Sequence, residues 1–204
     1  MKYNVKEAIK EIKDKSQENF VASVEIHINL DLEKDQNIRF NIVLPHGTGK
    51  TKKIAVLASQ KIEDADLNLV ESDIQKIEKG EIVAKRDFDI LITEPKFMPK
   101  IAKVANILGP AGVMPNPKSG TVTDKIEETV DKYKHGQIEI RTEPSAPIIH
   151  TMVGKINWES EKLEENILAL LTSLRQNRPI KAKPSFIKSA FLKTTMGKSI
   201  ELEI

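Results

Sequence analysis

Apolar residues change their spacing several times along this chain, and each change marks an element. Val5, Ala8, Ile9 and Ile12 recur at helical intervals, which predicts an amphipathic helix near the start. From Ser23 the period drops to two. Val24, Ile26, Ile28 and Leu30 point one way and Ser23, Glu25, His27 and Asn29 the other, so this strand gives one face to a core and keeps a polar face for other work. After the polar turn DLEKDQN, the run IRFNIVL predicts a second strand, paired antiparallel with the first. Beyond PHGTGKT, the short apolar runs KIAVLA and FDILIT alternate with helical segments at about residues 72–79 and 96–108, the order of βαβ units around a parallel sheet. Asp124, with Glu127 following, is the expected N-cap of a helix that closes at Gly136, and the strand QIEIRT comes next. The remainder reads as the strand IIHTMVGKI, a helix from about Ser160 through EENILALLTSL, and the strands SFIKSAFLKTT and SIELEI joined by the turn TMGK. Turn residues near LPHGTGK and EPSAP divide the sequence into two α/β blocks, without internal repeats or low-complexity tracts.

One stretch fits neither periodicity. ILGPAGVMPNPKSGTVT, from Ile107 to Thr123, holds three of the nine Gly and three of the ten Pro, yet stays apolar at Ile107, Leu108, Val113 and Met114. Glycines open unusual backbone conformations and prolines fix φ, so this mixture predicts a long ordered loop rather than a flexible linker.

Composition narrows the class. A chain of 204 residues with 39% hydrophobic side chains can form one large or two small domains, and 4% aromatics means cores built from Ile, Leu, Val and Ala. No apolar run approaches the ~20 residues needed to cross a bilayer. The N-terminal MKYNVKEAIKEIKDK is charged where a signal peptide needs apolar residues, so the expected location is cytoplasmic, with no membrane partner. Absence of Cys excludes disulfides, thiol catalysis and Cys-based metal sites, and His27, His46, His135 and His150 show no metal-ligand spacing, so neither metal nor cofactor is expected. The 32 basic and 30 acidic residues are segregated. Arg175, Arg178, Lys181, Lys183, Lys188, Lys193 and Lys198 fall in a stretch without Asp or Glu, whereas Glu63 to Glu81 is strongly acidic. A basic C-terminal region on a nearly neutral chain points to a local nucleic-acid surface or to a solvated charged face.

Enzyme motifs fail on inspection. GTGKT, Gly47 to Thr51, resembles the end of a phosphate-binding loop, but Leu44 stands where that pattern needs its first Gly, and a strand follows where phosphate needs a helix N-terminus. His150 reads as a strand histidine satisfied by its neighbours, Trp158 and the Met residues read as packing, and no catalytic constellation stands out. No enzymatic activity is expected.

Taken in order, FVASVEIHINL, LPHGTGK, ILGPAGVMPNPKSGTVT, IIHTMVGK and TTMG cover nearly the whole chain and resemble the large-subunit ribosomal protein family called L-one. Two departures stand out. Ala111 occupies a position where many relatives carry Arg, and the chain starts almost directly at its first helix, so contacts made by the longer N-terminus of many bacterial relatives are expected to be missing. The resemblance implies a two-domain α/β fold, with residues 1–48 and 147–204 forming a discontinuous RNA-binding domain and 49–146 an inserted Rossmann-like domain. It also implies a monomer within the ribosome that binds large-subunit ribosomal RNA to form the mobile stalk beside the tRNA exit site, with exit-site tRNA and its own mRNA, as a translational repressor, as further partners. Phe20, Ser23, Glu25, Thr195, Met196 and Gly197 match the family's RNA grip. Ser23 and Thr195 can donate to and accept from a ribose hydroxyl, while Glu25 only accepts and so can select guanine N–H groups. Met196 can pack on a ribose or base, Gly197 admits close backbone approach, and Phe20 either stacks on RNA or supports the strand. The Gly/Pro loop then becomes a brace for the inserted domain, with Lys118 and His150 as secondary RNA or hinge contacts. A non-ribosomal RNA-binding or ribosome-assembly factor of the same fold is the alternative, and the intact TTMG turn favours the ribosomal reading.

Overall fold

In the computed structural model, which describes residues 2–16, 18–33, 36–180 and 182–203, the chain divides into two units. One runs to Lys50 and resumes at Gly136; the other spans Thr51–His135.

The first unit begins with a short strand β1 (Lys2–Tyr3) and helix α1 (Val5–Lys15). Asn4 starts α1 through a capping box: its side chain accepts from the Glu7 N–H at 2.9 Å, and the Glu7 carboxylate accepts from the Asn4 N–H at 3.3 Å. Strand β2 (Ser23–Leu30) follows, with the alternation its sequence predicts. The unit also contains β3 (Arg39–Val43) and, numbering strands and helices along the whole chain, β7 (Gln137–Arg141), β8 (Ile148–Lys155), helix α6 (Ser160–Gln176), β9 (Ile187–Thr194) and β10 (Ile200–Leu202). Five strands form one sheet in the order β1-β10-β9-β2-β8. Ala8, Ile9 and Ile12 of α1 and Leu163, Ile167, Leu170 and Leu174 of α6 pack with Val24, Ile26, Ile28 and Leu30 in a single core.

The expected pairing of the first two long strands does not occur. Both edges of β2 are occupied, by β8 and β9, so β3 pairs instead with β7 in a separate antiparallel ribbon running from Arg39↔Arg141 to Val43↔Gln137. Phe40, Ile42, Ile138 and Ile140 of this ribbon join the same core. The return into the first unit therefore falls at 135/136 rather than at the expected 146/147, because β7 belongs with its partner β3.

The chain leaves and re-enters this unit at adjacent points. Gly47 and Gly136 both have positive φ, 61° and 90°, and a Cβ on Gly136 would lie 2.5 Å from the Gly47 Cα, so only glycine fits. Asn166, fully buried on α6, fixes the exit: its amide donates to the Gly47 and Val153 carbonyls at 2.8 Å each and its carbonyl accepts from the His46 N–H at 3.1 Å. After Thr51 comes a strand rather than a helix, so GTGKT builds no phosphate cradle.

In the second unit β4 (Ile54–Leu57) lies between β5 (Leu67–Leu69) and β6 (Ile90–Thr93), all parallel. Every residue of β4 is buried. Ala55 and Leu57 face a cluster with Ile74 and Ile77 of α2 (Asp73–Glu78) and with Ile101 of α3 (Met98–Ile101), Val104, and Leu108 of α4 (Ala105–Leu108). Ile54 and Val56 face Ile126, Val130 and Tyr133 of α5 (Ile126–Lys134). A parallel strand covered on both faces has no polar alternation to show, which is why KIAVLA reads as a continuous apolar run. The segment expected as a helix at 96–108 is broken into short α and 3-10 turns, with prolines opening the turns at Pro95 and Pro99. Asp124 is not an N-cap: α5 starts after Lys125, whose N–H donates to the Thr123 hydroxyl at 3.1 Å.

The Gly/Pro loop is ordered within this unit. Gly112 and Gly120 take left-handed φ, and Thr121 Oγ1 accepts from the Asn116 N–H at 2.8 Å. The Thr121 carbonyl accepts from the Thr93 N–H at 2.9 Å, and the Tyr133 hydroxyl donates to the Ser119 carbonyl at 3.2 Å. Leu108 and Val113 are buried, Ala111 packs against the same cluster, and Ile107 is exposed.

Candidate nucleic-acid interface

The helices and the β3–β7 ribbon share a core with one face of the five-stranded sheet; the other face carries the polar side chains of β2. Ser23, Glu25, His27 and Asn29 stand half-buried there, since β2 alternates. Register places Lys193 of β9 and Met152 of β8 on either side of Glu25, and puts His150 of β8 opposite His27.

At the end of this face the structure joins Ser23 to Thr195. Their backbones and one hydroxyl form a closed set: Ser23 N–H donates to Thr195 Oγ1 at 3.1 Å, and the Ser23 carbonyl accepts from the Thr195 N–H at 3.1 Å and from its hydroxyl at 3.4 Å. Lys155 Nζ donates to Ser23 Oγ at 3.0 Å. Thr195 thus uses its one O–H and one lone pair inside the protein and keeps the other lone pair outward, while Ser23 retains its O–H to donate. Met196 is 77% exposed and Phe20 54%, so Phe20 does not support the core.

Gly197 is held by its neighbours rather than free. Its N–H donates to the Thr194 carbonyl at 3.2 Å, and a Cβ there would lie 2.1 Å from Thr194 Oγ1. Thr194 Oγ1 in turn donates to Glu18 at 2.5 Å, and the Ser16 hydroxyl donates to the other Glu18 oxygen. The Ser16 bond, then the Thr194 bond, hold the Glu18 carboxyl below its ordinary pKa, and the Met196 backbone N–H adds to this. Glu18 therefore stays ionised as a clasp for the turn. A shallow groove of about 560 Å³, lined by Asp14, Lys15, Glu18, Met196, Gly197 and Lys198, runs beside it.

The sequence carries no sign of Glu18's role, because its partner Thr194 lies 176 residues away. Lys155 was missed for the same reason, its partner Ser23 being 132 residues distant. Among the described residues, the basic C-terminal stretch is spread over several elements. Lys188, second in β9, pairs with Asp31 at 3.2 Å, Lys193 sits opposite Glu25 roughly 16 Å further along the strand at ~3.3 Å per residue, Arg175 lies in the last turn of α6 and Arg178 beyond its end. Lys181 lies outside the described residues. His150 stands on the open face, whereas Lys118 is exposed on a 3-10 turn of the second unit and shares no element with the grip. Among the described residues, no helix is long and apolar enough to cross a membrane.

The fold is that of an α/β protein whose five-stranded sheet presents a polar face ending in hydroxyls, a carboxylate, lysines and two exposed apolar side chains. The chain belongs to the ribosomal protein L1p/L10e family, whose profile it matches over residues 5–198, a family of structural ribosomal proteins. It is 42% identical to the large ribosomal subunit protein uL1 of Phytoplasma australiense over 99% of this chain and 90% of that protein. It is 40% identical to the large ribosomal subunit protein uL1c of Trieres chinensis, over 98% of this chain and 89% of that one. The uL1 protein of Prochlorococcus marinus (strain NATL1A) is 39% identical, with 99% and 88% covered.

Proposed function

We propose that this protein is a constituent of the large ribosomal subunit that grips a folded segment of ribosomal RNA with the Ser23–Thr195 end of its five-stranded sheet. In this reading it helps to form the mobile stalk beside the tRNA exit site and represses translation of its own mRNA through a mimic of the same site. The observation that carries the proposal is the set of groups meeting there. Ser23 offers a donor, Thr195 an acceptor and Glu25 an acceptor only, flanked by the exposed Phe20 and Met196. Those groups suit RNA because its deep major groove excludes side chains, leaving ribose hydroxyls, base edges and stacked faces to be read. Lys155 and Lys193 bring positive charge to the same face without forming a general polyanion patch. The second unit, a parallel sheet covered on both faces, is read as a Rossmann-like insertion with its Gly/Pro loop as a brace and Lys118 as a secondary contact.

Co-sedimentation separates this role from that of a free RNA-binding or assembly factor. The protein remains with mature large subunits through a moderate-salt gradient; recovery only with immature particles or free RNA contradicts the ribosomal assignment.

A further inference from the structure

His27 on β2 and His150 on β8 stand directly opposite each other in the antiparallel register. Their Nδ1 atoms face one another at 2.5 Å, with ring centroids 4.7 Å apart. His27 Nε2 is buried without a hydrogen-bond partner, with the Glu25 carboxylate 3.7 Å away, and His150 Nε2 lies 3.5 Å from the Glu143 carboxylate. A neutral imidazole has one N–H and one lone pair, so either one ring donates its Nδ1–H to the other across the gap or both turn a lone pair into it. With both protons on Nε2, both Nδ1 lone pairs enter the same gap. They repel unless a positive centre lies between them.

We propose that His27 and His150 chelate one divalent transition-metal ion of the zinc, nickel or copper kind through their Nδ1 atoms, on the open face of the sheet. Imidazole nitrogen is a preferred ligand for these borderline ions. Bonds of about 2.0–2.1 Å in tetrahedral geometry set the two nitrogens roughly 3.3 Å apart, so the rings need part by less than about 1 Å. The charges around the gap are Glu25 and Glu143, which favour a cation, and Lys193, which opposes it. His150 is 42% exposed, which gives the ion a route in. Among the described residues no three His, Asp or Glu side chains converge on a metal, so the protein supplies two ligands and the other positions face outward. Sequence spacing hides the site because its ligands are 123 residues apart.

The open positions lie on the face that carries Ser23 and Glu25, where an RNA phosphate oxygen can complete the coordination. That consequence rests on the RNA-binding reading; the chelation does not.

Calorimetric titration of the tag-free full chain with zinc ion at neutral pH tests the site. One ion binds per chain, His27→Gln and His150→Gln each weaken binding at least about tenfold, Glu143→Gln weakens it by about tenfold, and His135→Gln leaves it unchanged. In the unsubstituted chain, copper ion broadens the NMR signals of His27, His150 and their strand neighbours first, which decides the matter if a substituted chain fails to fold. Unchanged binding in folded His27→Gln, or broadening centred elsewhere, overturns the proposal. Zinc should also tighten binding to a ribosomal RNA fragment in the unsubstituted chain but not in His150→Gln. Intact chelation without any RNA binding contradicts the functional reading and leaves the ion site standing.

Discussion

Removing the second unit asks whether the first carries recognition alone, and the structure fixes where to cut. Gly47 and Gly136 touch, and Lys50 is three residues beyond Gly47, hence no more than about 11 Å away at 3.8 Å per residue. Six Gly/Ser residues have a root-mean-square span of about 13 Å, so they can join Lys50 to Gly136 without strain. This shortened chain keeps both strands of the β3–β7 ribbon. A cut at 48 and 147 instead deletes β7, taking Ile138 and Ile140 out of the core and leaving β3 unpaired. At about 2–5 kcal/mol for each buried Ile lost, that is about 4–10 kcal/mol, comparable with the 5–15 kcal/mol that holds a typical domain together. The expected result is a cooperative melt for the 50/136 junction and no folded state for the 48/147 junction, measured by circular dichroism. RNA titration at fixed salt should put the first variant within about threefold of the full chain. Equal stability of the two variants refutes the ribbon argument. A folded 50/136 variant that binds a hundredfold more weakly, while isolated residues 51–135 bind well, moves the grip to the second unit.

Asn166→Leu leaves the His46 N–H and the Gly47 and Val153 carbonyls without their partner, so thermal melts should show a loss of about 2–5 kcal/mol. A loss below about 1 kcal/mol means that the crossing is held by something else. Gly197→Ala drives a methyl group into Thr194 Oγ1 and displaces it from Glu18, so RNA affinity should fall at least about tenfold, roughly 1.4 kcal/mol, with the melting temperature little changed. Unaltered affinity would show that the turn can relax without cost to recognition.

Local patterning made α1, β2 and α6 readable, because each buries one face and its period is written in Val, Ile and Leu. The partners of those elements were not readable. That β2 takes β8 and β9, and leaves β3 to β7, depends on competition for edges between strands whose partners are from 94 (Val43↔Gln137) to 170 (Val24↔Thr194) residues apart. Strands β1 and β5, of two and three residues, are too short for a period. Asp124 had the composition of a cap, but the backbone starts α5 one residue late for it, and no side chain makes a capping bond to this helix. At the candidate site, Ser23, Glu25, Thr195, Met196 and Gly197 came through the family resemblance, and their meeting at one end of the sheet follows from strand order. Glu18, Lys155 and the His27–His150 contact rest on pairings across more than a hundred residues, which no spacing rule reaches.

The central claim, that RNA is held at the Ser23–Thr195 end of the sheet, is tested most directly by ultraviolet crosslinking of the protein to RNA in cells, with the attached peptide and the RNA fragment both sequenced. The account predicts crosslinks to large-subunit ribosomal RNA from Phe20 and from the Thr195–Lys198 turn, and few from residues 107–123. Crosslinks concentrated in the 107–123 loop, or to RNAs other than ribosomal RNA and the protein's own message, contradict it.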